Sequence, residues 1–194
     1  MKFIDQLKEK AKQNKKTIVL PETSDMRTIE AAGKVLAEGI ANIILVGDKE
    51  DIMSRAGDID LSGASFVDPK NYEKFDEYVD AFVEMRRKKG MTEARAKELL
   101  LTNPLYFGCM MVKQDDADGM VAGAINASAD VLRAALQTLK TAPGTRIVSA
   151  FFLVVVPDCQ YGANGTFVFA DAGLNQSPSA SELADIAEQS AKSF

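Results

Sequence analysis

The apolar positions of the chain switch between a helical and a strand period, and those switches divide it into elements. Residues 3–14 set Phe3, Ile4, Leu7 and Ala11 on one side of a helix. Residues 17–20 form a β-rich run ended by Pro21, and after the polar stretch 22–25 a helical face follows, carrying Met26, Ile29, Ala32, Gly33 and Leu36 up to Gly39. The pattern then repeats. Residues 43–46 predict a strand, Gly47 and Asp48 a turn, residues 49–55 a short helix, and residues 65–67 a strand ended by Asp68 and Pro69. Strand and helix alternating in this way imply a mainly parallel sheet with helices on its faces.

Residues 72–101 are mostly helical and strongly charged, with Phe75, Val79, Phe82, Val83 and Arg86 on one face. Gly90 stops that helix, Thr92 caps the next, and Pro104 opens an apolar one with Leu105, Phe107, Met110 and Met111. Met120, Val121, Ala122 and Ile125 read as a short strand buried on both faces. Beyond it Asn126 and Ser128 are N-cap residues for a helix carrying Val131, Leu132, Ala135, Leu136 and Leu139. After Pro143 and Gly144 the texture changes. An apolar run over 147–156, a turn-rich loop holding Asn164-Gly165, and a strand over 166–170 suggest a hairpin. One closing helix follows, capped by Ser177 or Ser179. The expected architecture is α/β: a three-layer first domain over residues 1–145 and the start of a second α/β domain over 146–194, which has too little chain for a full core.

Composition narrows the function. Of 194 residues, 23 are basic and 28 acidic, and a net charge of −5 argues against a nucleic-acid-gripping protein. No apolar run reaches membrane-spanning length, the N-terminus lacks a signal-peptide core, and Cys109 and Cys159 form no disulfide pattern, so a soluble cytoplasmic protein is expected. There is no histidine. That removes Ser-His-Asp and Cys-His nucleophiles and His-ligated zinc, so no metal site is expected and acid–base work falls to Asp, Glu, Lys, Tyr or Cys.

The segment 118–136 concentrates the candidate chemistry. A strand that delivers a glycine-bearing loop (Gly123) to a helix N-terminus leaves backbone N–H groups free for an anion, and Arg133 can add a bidentate fork. The same pattern is also an ordinary capped strand–loop–helix with an exposed arginine. The basic run Arg86, Arg87, Lys88 and Lys89 is likewise compatible with a solvated helix terminus.

Three blocks, TIVLPETSDMRTIEAA, GAINASADVLRAALQTLKTAPG and SAFFLVVVPDCQYGANGTFVFADAGLN, resemble the phosphate acetyltransferases (phosphotransacetylases) of the phosphate acetyl/butyryltransferase family. The most specific parts are the pattern of Ser128, Asp130 and Arg133 and the stretch 156–173. The resemblance implies two α/β domains, similar to those of isocitrate and isopropylmalate dehydrogenases, with the active site between them. It implies a cytoplasmic homodimer that exchanges acetyl phosphate and coenzyme A for acetyl-CoA and phosphate, with both as substrates and no bound cofactor. A carboxylate takes the thiol proton, the thiolate attacks the acetyl carbonyl, and arginines hold the phosphoryl group. By local match Arg133 is the phosphate-side, catalytic arginine and Arg86 the second, for coenzyme A or its phosphate; Ser128 and Gly123 join them as substrate-binding residues, and Cys159 lies near the site. The family's proposed base, an Asp with a companion Ser and Arg, sits in a block near the C-terminus that these 194 residues do not reach, so the expectation is an N-terminal part, inactive alone. A phosphate butyryltransferase and a non-catalytic ligand-binding or dimerisation module are the alternatives.

Overall fold

The computed structural model describes residues 3–194, which divide into two compact units, one running to Lys140 and the other from Thr141 to Phe194. In the first unit α1 (Phe3–Gln13) leads to β1 (Thr17–Leu20), α2 (Met26–Glu38), β2 (Asn42–Val46), α3 (Lys49–Ala56) and β3 (Ser65–Val67). Then come α4 (Phe75–Arg86), α5 (Glu93–Thr102), α6 (Pro104–Lys113), β4 (Gly119–Met120) and α7 (Ser128–Thr138). The four strands form a parallel sheet in the order β3-β2-β1-β4.

The period of two along a strand sends successive side chains to opposite faces, and β2 uses both. Ile43 and Leu45 join Ile29 and Ala32 of α2 and Ile52 of α3 in one core. Ile44 and Val46 join Phe82 of α4, Leu100 of α5, Phe107 of α6 and Ala134 of α7 in the other. Helices on both faces make three layers. Continuous apolar strands follow directly, since neither face of the sheet meets water. The helix α6 is buried at every residue from Leu105 to Met111, which its unbroken apolar run anticipates.

Helix ends follow the local signals in most places. Asp25 caps α2 by accepting from Arg27 N, and Gly39 ends that helix at φ 66°, a conformation that suits a residue without Cβ. Thr92 caps α5, and Asn103 caps α6 ahead of Pro104. The segment around residue 120 departs from expectation. β4 covers only Gly119 and Met120, while Val121 and Ile125 are more than half exposed. The cap of α7 is Ala127 without a side-chain hydrogen bond, in place of Asn126 or Ser128.

In the second unit β5 (Phe151–Val155) pairs antiparallel with β6 (Thr166–Ala170), from Phe151 opposite Ala170 to Val155 opposite Thr166. The connection turns at Asn164 and Gly165, both at positive φ, and a Cβ at Gly165 would lie 2.2 Å from Val156 O. α8 (Ala180–Ser193) opens with a capping box between Ser179 and Glu182 and packs on β6, so Ser179 is the cap. Among the described residues no helix is long and apolar enough to cross a membrane.

Candidate functional site: an arginine-lined cleft and a carboxylate-filled loop

Four consecutive backbone N–H groups turn inward after β4, and they meet the chain's own carboxylate. Gly123 N and Ala124 N donate to Glu22 Oε2 at 2.6 and 2.7 Å. Ile125 N and Asn126 N donate to Oε1 at 3.1 and 2.8 Å, and Asn126 Nδ2 adds a fifth bond at 2.8 Å. Glu22 is only 2% exposed. Burial alone would raise its pKa, but the hydrogen bonds from Asn126, Ala124 and Ile125 outweigh that and hold it down to about 2. The loop therefore is an anion site, as its glycine and its position before a helix suggest, with Glu22 as the anion. The Gly123 N–H is not free for a substrate.

Glu22 is itself held firmly. Thr23 Oγ1 donates to Val46 O at 2.6 Å, tying the β1–α2 loop to the end of β2. Arg55 Nη1 donates to Thr23 O at 2.6 Å from α3. From the other side Arg27 Nη2 reaches Ala124 O at 2.5 Å while forking onto Asp25. The carboxylate thus joins two loops at the C-terminal ends of neighbouring strands, β1 and β4, the edge at which open α/β sheets bind their ligands.

The second feature is a cleft of about 420 Å³ in the first unit. Arg86, Lys89, Arg95 and Arg133 line it together with Tyr106 and Gln137, and Glu98 is the one acidic residue among its lining side chains. Four cations against one carboxylate make this a local positive field on a chain of net charge −5. Arg86 is the last residue of α4, and Arg133 lies in the second turn of α7. Tyr106 of α6 lines the same cleft: burial raises its phenol pKa, and the charges of Arg133 and Arg86 both pull it back down. Its hydroxyl donates to Gln137 Oε1 at 3.1 Å.

The two arginines are differently prepared. Arg133 Nη1 pairs with Asp130 Oδ1 at 2.5 Å across one turn, and more than half of its side chain is exposed. Arg86 Nε is buried and has no hydrogen-bond partner among the described residues. A guanidinium with an unmet donor beside a basic cleft is stabilised when an acceptor arrives.

Of the residues singled out from sequence, Arg86 and Arg133 line this cleft together. Ser128, the first residue of α7, is exposed and, like Gly123, does not line it. Cys159 lies in the second unit, in the β5–β6 connection, and is partly buried. Cys109 is buried within α6, where burial pushes its thiol pKa up to about 11, far from a reactive thiolate. Sequence reasoning missed Glu22, Lys89 as a cleft residue, Arg95 and Tyr106. Glu22 carried one usable signal, an acidic residue directly after the strand-ending Pro21 at the C-terminal edge of β1.

Comparison with known proteins identifies the family. The phosphate acetyl/butaryl transferase family matches residues 2–194. The phosphate acetyltransferase of Acetivibrio thermocellus is 53% identical over 194 residues, covering 100% of this chain and 58% of that protein. That of Clostridium acetobutylicum is 44% identical over 96% of this chain and 56% of its own length. Among solved structures, the EutD phosphotransacetylase from Staphylococcus aureus superimposes with a TM-score of 0.87 at 36% identity, over 98% of this chain and 56% of that one. A phosphotransacetylase from Streptococcus pyogenes gives 0.86 at 36% identity, over 96% and 56%. The chain thus spans a little over half the length of these relatives. With the parallel sheet, the basic cleft and a family match over nearly every residue, the chain belongs to the phosphate acetyl/butaryl transferase family.

Proposed function

We propose that this chain contributes the phosphate-holding part of a phosphate acetyltransferase, which moves an acetyl group reversibly between acetyl phosphate and coenzyme A. The observation that carries the proposal is the convergence of Arg86 and Arg133, from two different helices, on one cleft with a single acidic lining residue. In the reaction the coenzyme A thiol gives its proton to a carboxylate, and the thiolate attacks the acetyl carbonyl carbon. The tetrahedral adduct then collapses: the carbon–oxygen bond to phosphate breaks and inorganic phosphate leaves with that electron pair. Guanidinium groups that contact the phosphoryl oxygens stabilise the charge that grows on the leaving group. Arg133 takes this role, and Arg86, with an unmet Nε donor, holds the phosphoryl group or a phosphate of coenzyme A. Ser128, the first residue of α7, belongs to the same proposal as a substrate-binding hydroxyl outside the cleft lining.

We assign the carboxylate that accepts the thiol proton to the part of the longer relatives that has no counterpart in these 194 residues. The cysteines have no covalent role in this scheme, and the homodimer and a cytoplasmic location are part of the same proposal. The test is release of phosphate from acetyl phosphate with and without coenzyme A, by this chain within a full-length protein that carries the proposed base, run in parallel with butyryl phosphate. Coenzyme A-dependent release that favours acetyl phosphate supports the reading. A preference for butyryl phosphate moves it to a butyryltransferase, and saturable binding of coenzyme A and phosphate without turnover assigns the chain a ligand-binding role.

A further inference from the structure

A buried carboxylate with five donors and, among the described residues, no cation bonded to it is an expensive device for joining two loops, and apolar packing would join them with less desolvation. What a carboxylate does that a methyl group cannot is dictate backbone direction. To face one acceptor pair, residues 123–126 must turn successive N–H groups to the same side, and Gly123 does so at φ 109°. Asn126, bonded twice, is the residue immediately before Ala127, the cap of α7. Downstream, α7 packs on α6, and Ala134 is fully buried, which fixes the helix sideways. Its N-terminal end has no side-chain cap of its own, so Glu22 supplies the constraint that a cap residue would have given.

We propose that Glu22 is a positioning residue for the anion-binding cleft: by gathering the 123–126 amides it sets the first turns of α7, and with them Ser128 and Arg133. This rests on the reading of the cleft as a phosphoryl site. Glu22 touches no substrate. Its effect passes through Asn126 and the start of α7, and its own position is secured by the neighbouring Thr23, which bonds Val46 O of β2 and accepts from Arg55 of α3. The low pKa of the carboxylate means that the device stays charged, and so stays closed, over the whole physiological range.

Glu22→Gln tests this, because the amide keeps the shape yet leaves one acceptor oxygen where two served five donors. The probes are inorganic phosphate and coenzyme A, titrated calorimetrically into the 194-residue chain, with amide hydrogen exchange followed at residues 123–126. Expected are at least tenfold weaker phosphate binding and faster exchange at those amides, at a temperature where circular dichroism shows the variant folded, and partial recovery in Glu22→Asp. A purely structural role predicts a lower melting temperature with unchanged affinity in the folded protein, and that result overturns the proposal. Should Glu22→Gln not fold, Asn126→Ala removes one donor and leaves the carboxylate four backbone partners; a loss of about threefold in phosphate affinity supports positioning, and no change overturns it. If the unmodified chain binds neither probe, the phosphoryl reading of the cleft fails and the proposal falls with it. If it binds and Glu22→Gln binds equally well, only the positioning claim fails.

Discussion

Glu22 Oε1 accepts both the backbone N–H and the side-chain amide of Asn126, each at 2.8 Å, across 104 positions of sequence. The contact closes the β1–α2 loop onto the approach to α7, and it is strongest with the ionised carboxylate. The folded pKa is about 2, below the ordinary value of 4.5, so the stabilisation is fully present above the unfolded value and is lost as pH falls from there through about 2. Between pH 6 and pH 2 the wild-type chain should lose roughly 2 to 3 kcal/mol more unfolding free energy than Glu22→Gln, which has no carboxylate to protonate. Urea unfolding of both proteins at the two pH values measures this, and parallel losses would remove Glu22 as the responsible group.

Arg133 separates function from stability. Its bond to Asp130 joins two half-exposed side chains on one helix, an arrangement that contributes no more than about 0.5 kcal/mol. Arg133→Ala should therefore melt within about 2 °C of the parent. On the proposed reaction, loss of a charge contact to the departing phosphate costs on the order of 3 kcal/mol, or about a hundredfold in rate. Arg133→Lys should recover part of that, since an ammonium keeps the charge and loses the planar fork. Steady-state kinetics of the variants within a full-length protein that carries the proposed base, with acetyl phosphate as the varied substrate, give the comparison.

The opposite behaviour is expected at Asp116. Its carboxylate accepts from Tyr72 at 3.2 Å and also from Tyr78 and Lys74, near the start of α4, whereas Arg86 closes the same helix 12 residues long. From Tyr78 to Arg86 that is about 12 Å of helix between the network and the cleft. Burial pushes the Asp116 pKa up, and the bonds from Lys74 and Tyr78 bring it below the ordinary value. Tyr78 is 1% exposed, so Asp116→Ala leaves its hydroxyl only the 3.3 Å contact with the Tyr72 hydroxyl and should cost about 1 to 2 kcal/mol. Phosphate affinity measured on the folded variant should be unchanged.

Much of the fold is legible in the sequence because its elements are punctuated locally. Pro21 ends β1, Gly39 ends α2, Asp68 and Pro69 follow β3, and Asn103 with Pro104 opens α6. The strand around residue 120 is the instructive departure. Val121, Ala122 and Ile125 have the composition of a buried strand, yet the amides of residues 123–126 leave the ladder for Glu22, a partner 101 to 104 positions away. Local pattern contains no trace of that competitor. Asn126 has the right chemistry for a cap but is committed to Glu22, so Ala127 takes the capping position. The cleft is legible in a different way. Periodicity assigns Arg86 to a helix face and Arg133 to an exposed turn, and only the family resemblance pairs them. Lys89, Arg95 and Tyr106 join them through the packing of α4, α5 and α6, which no spacing rule anticipates.

If Arg86 and Arg133 serve one phosphoryl-bearing ligand, their contributions to phosphate binding are coupled, and a double-mutant cycle reads that coupling. Inorganic phosphate is titrated calorimetrically into the parent chain, Arg86→Ala, Arg133→Ala and the double variant. The account predicts one saturable site in the parent, a loss of at least tenfold in each single variant, and a double variant much less impaired than the product of the two losses, because both groups act on the same anion. Unaltered affinity in either single variant, or two losses that multiply independently, would contradict it.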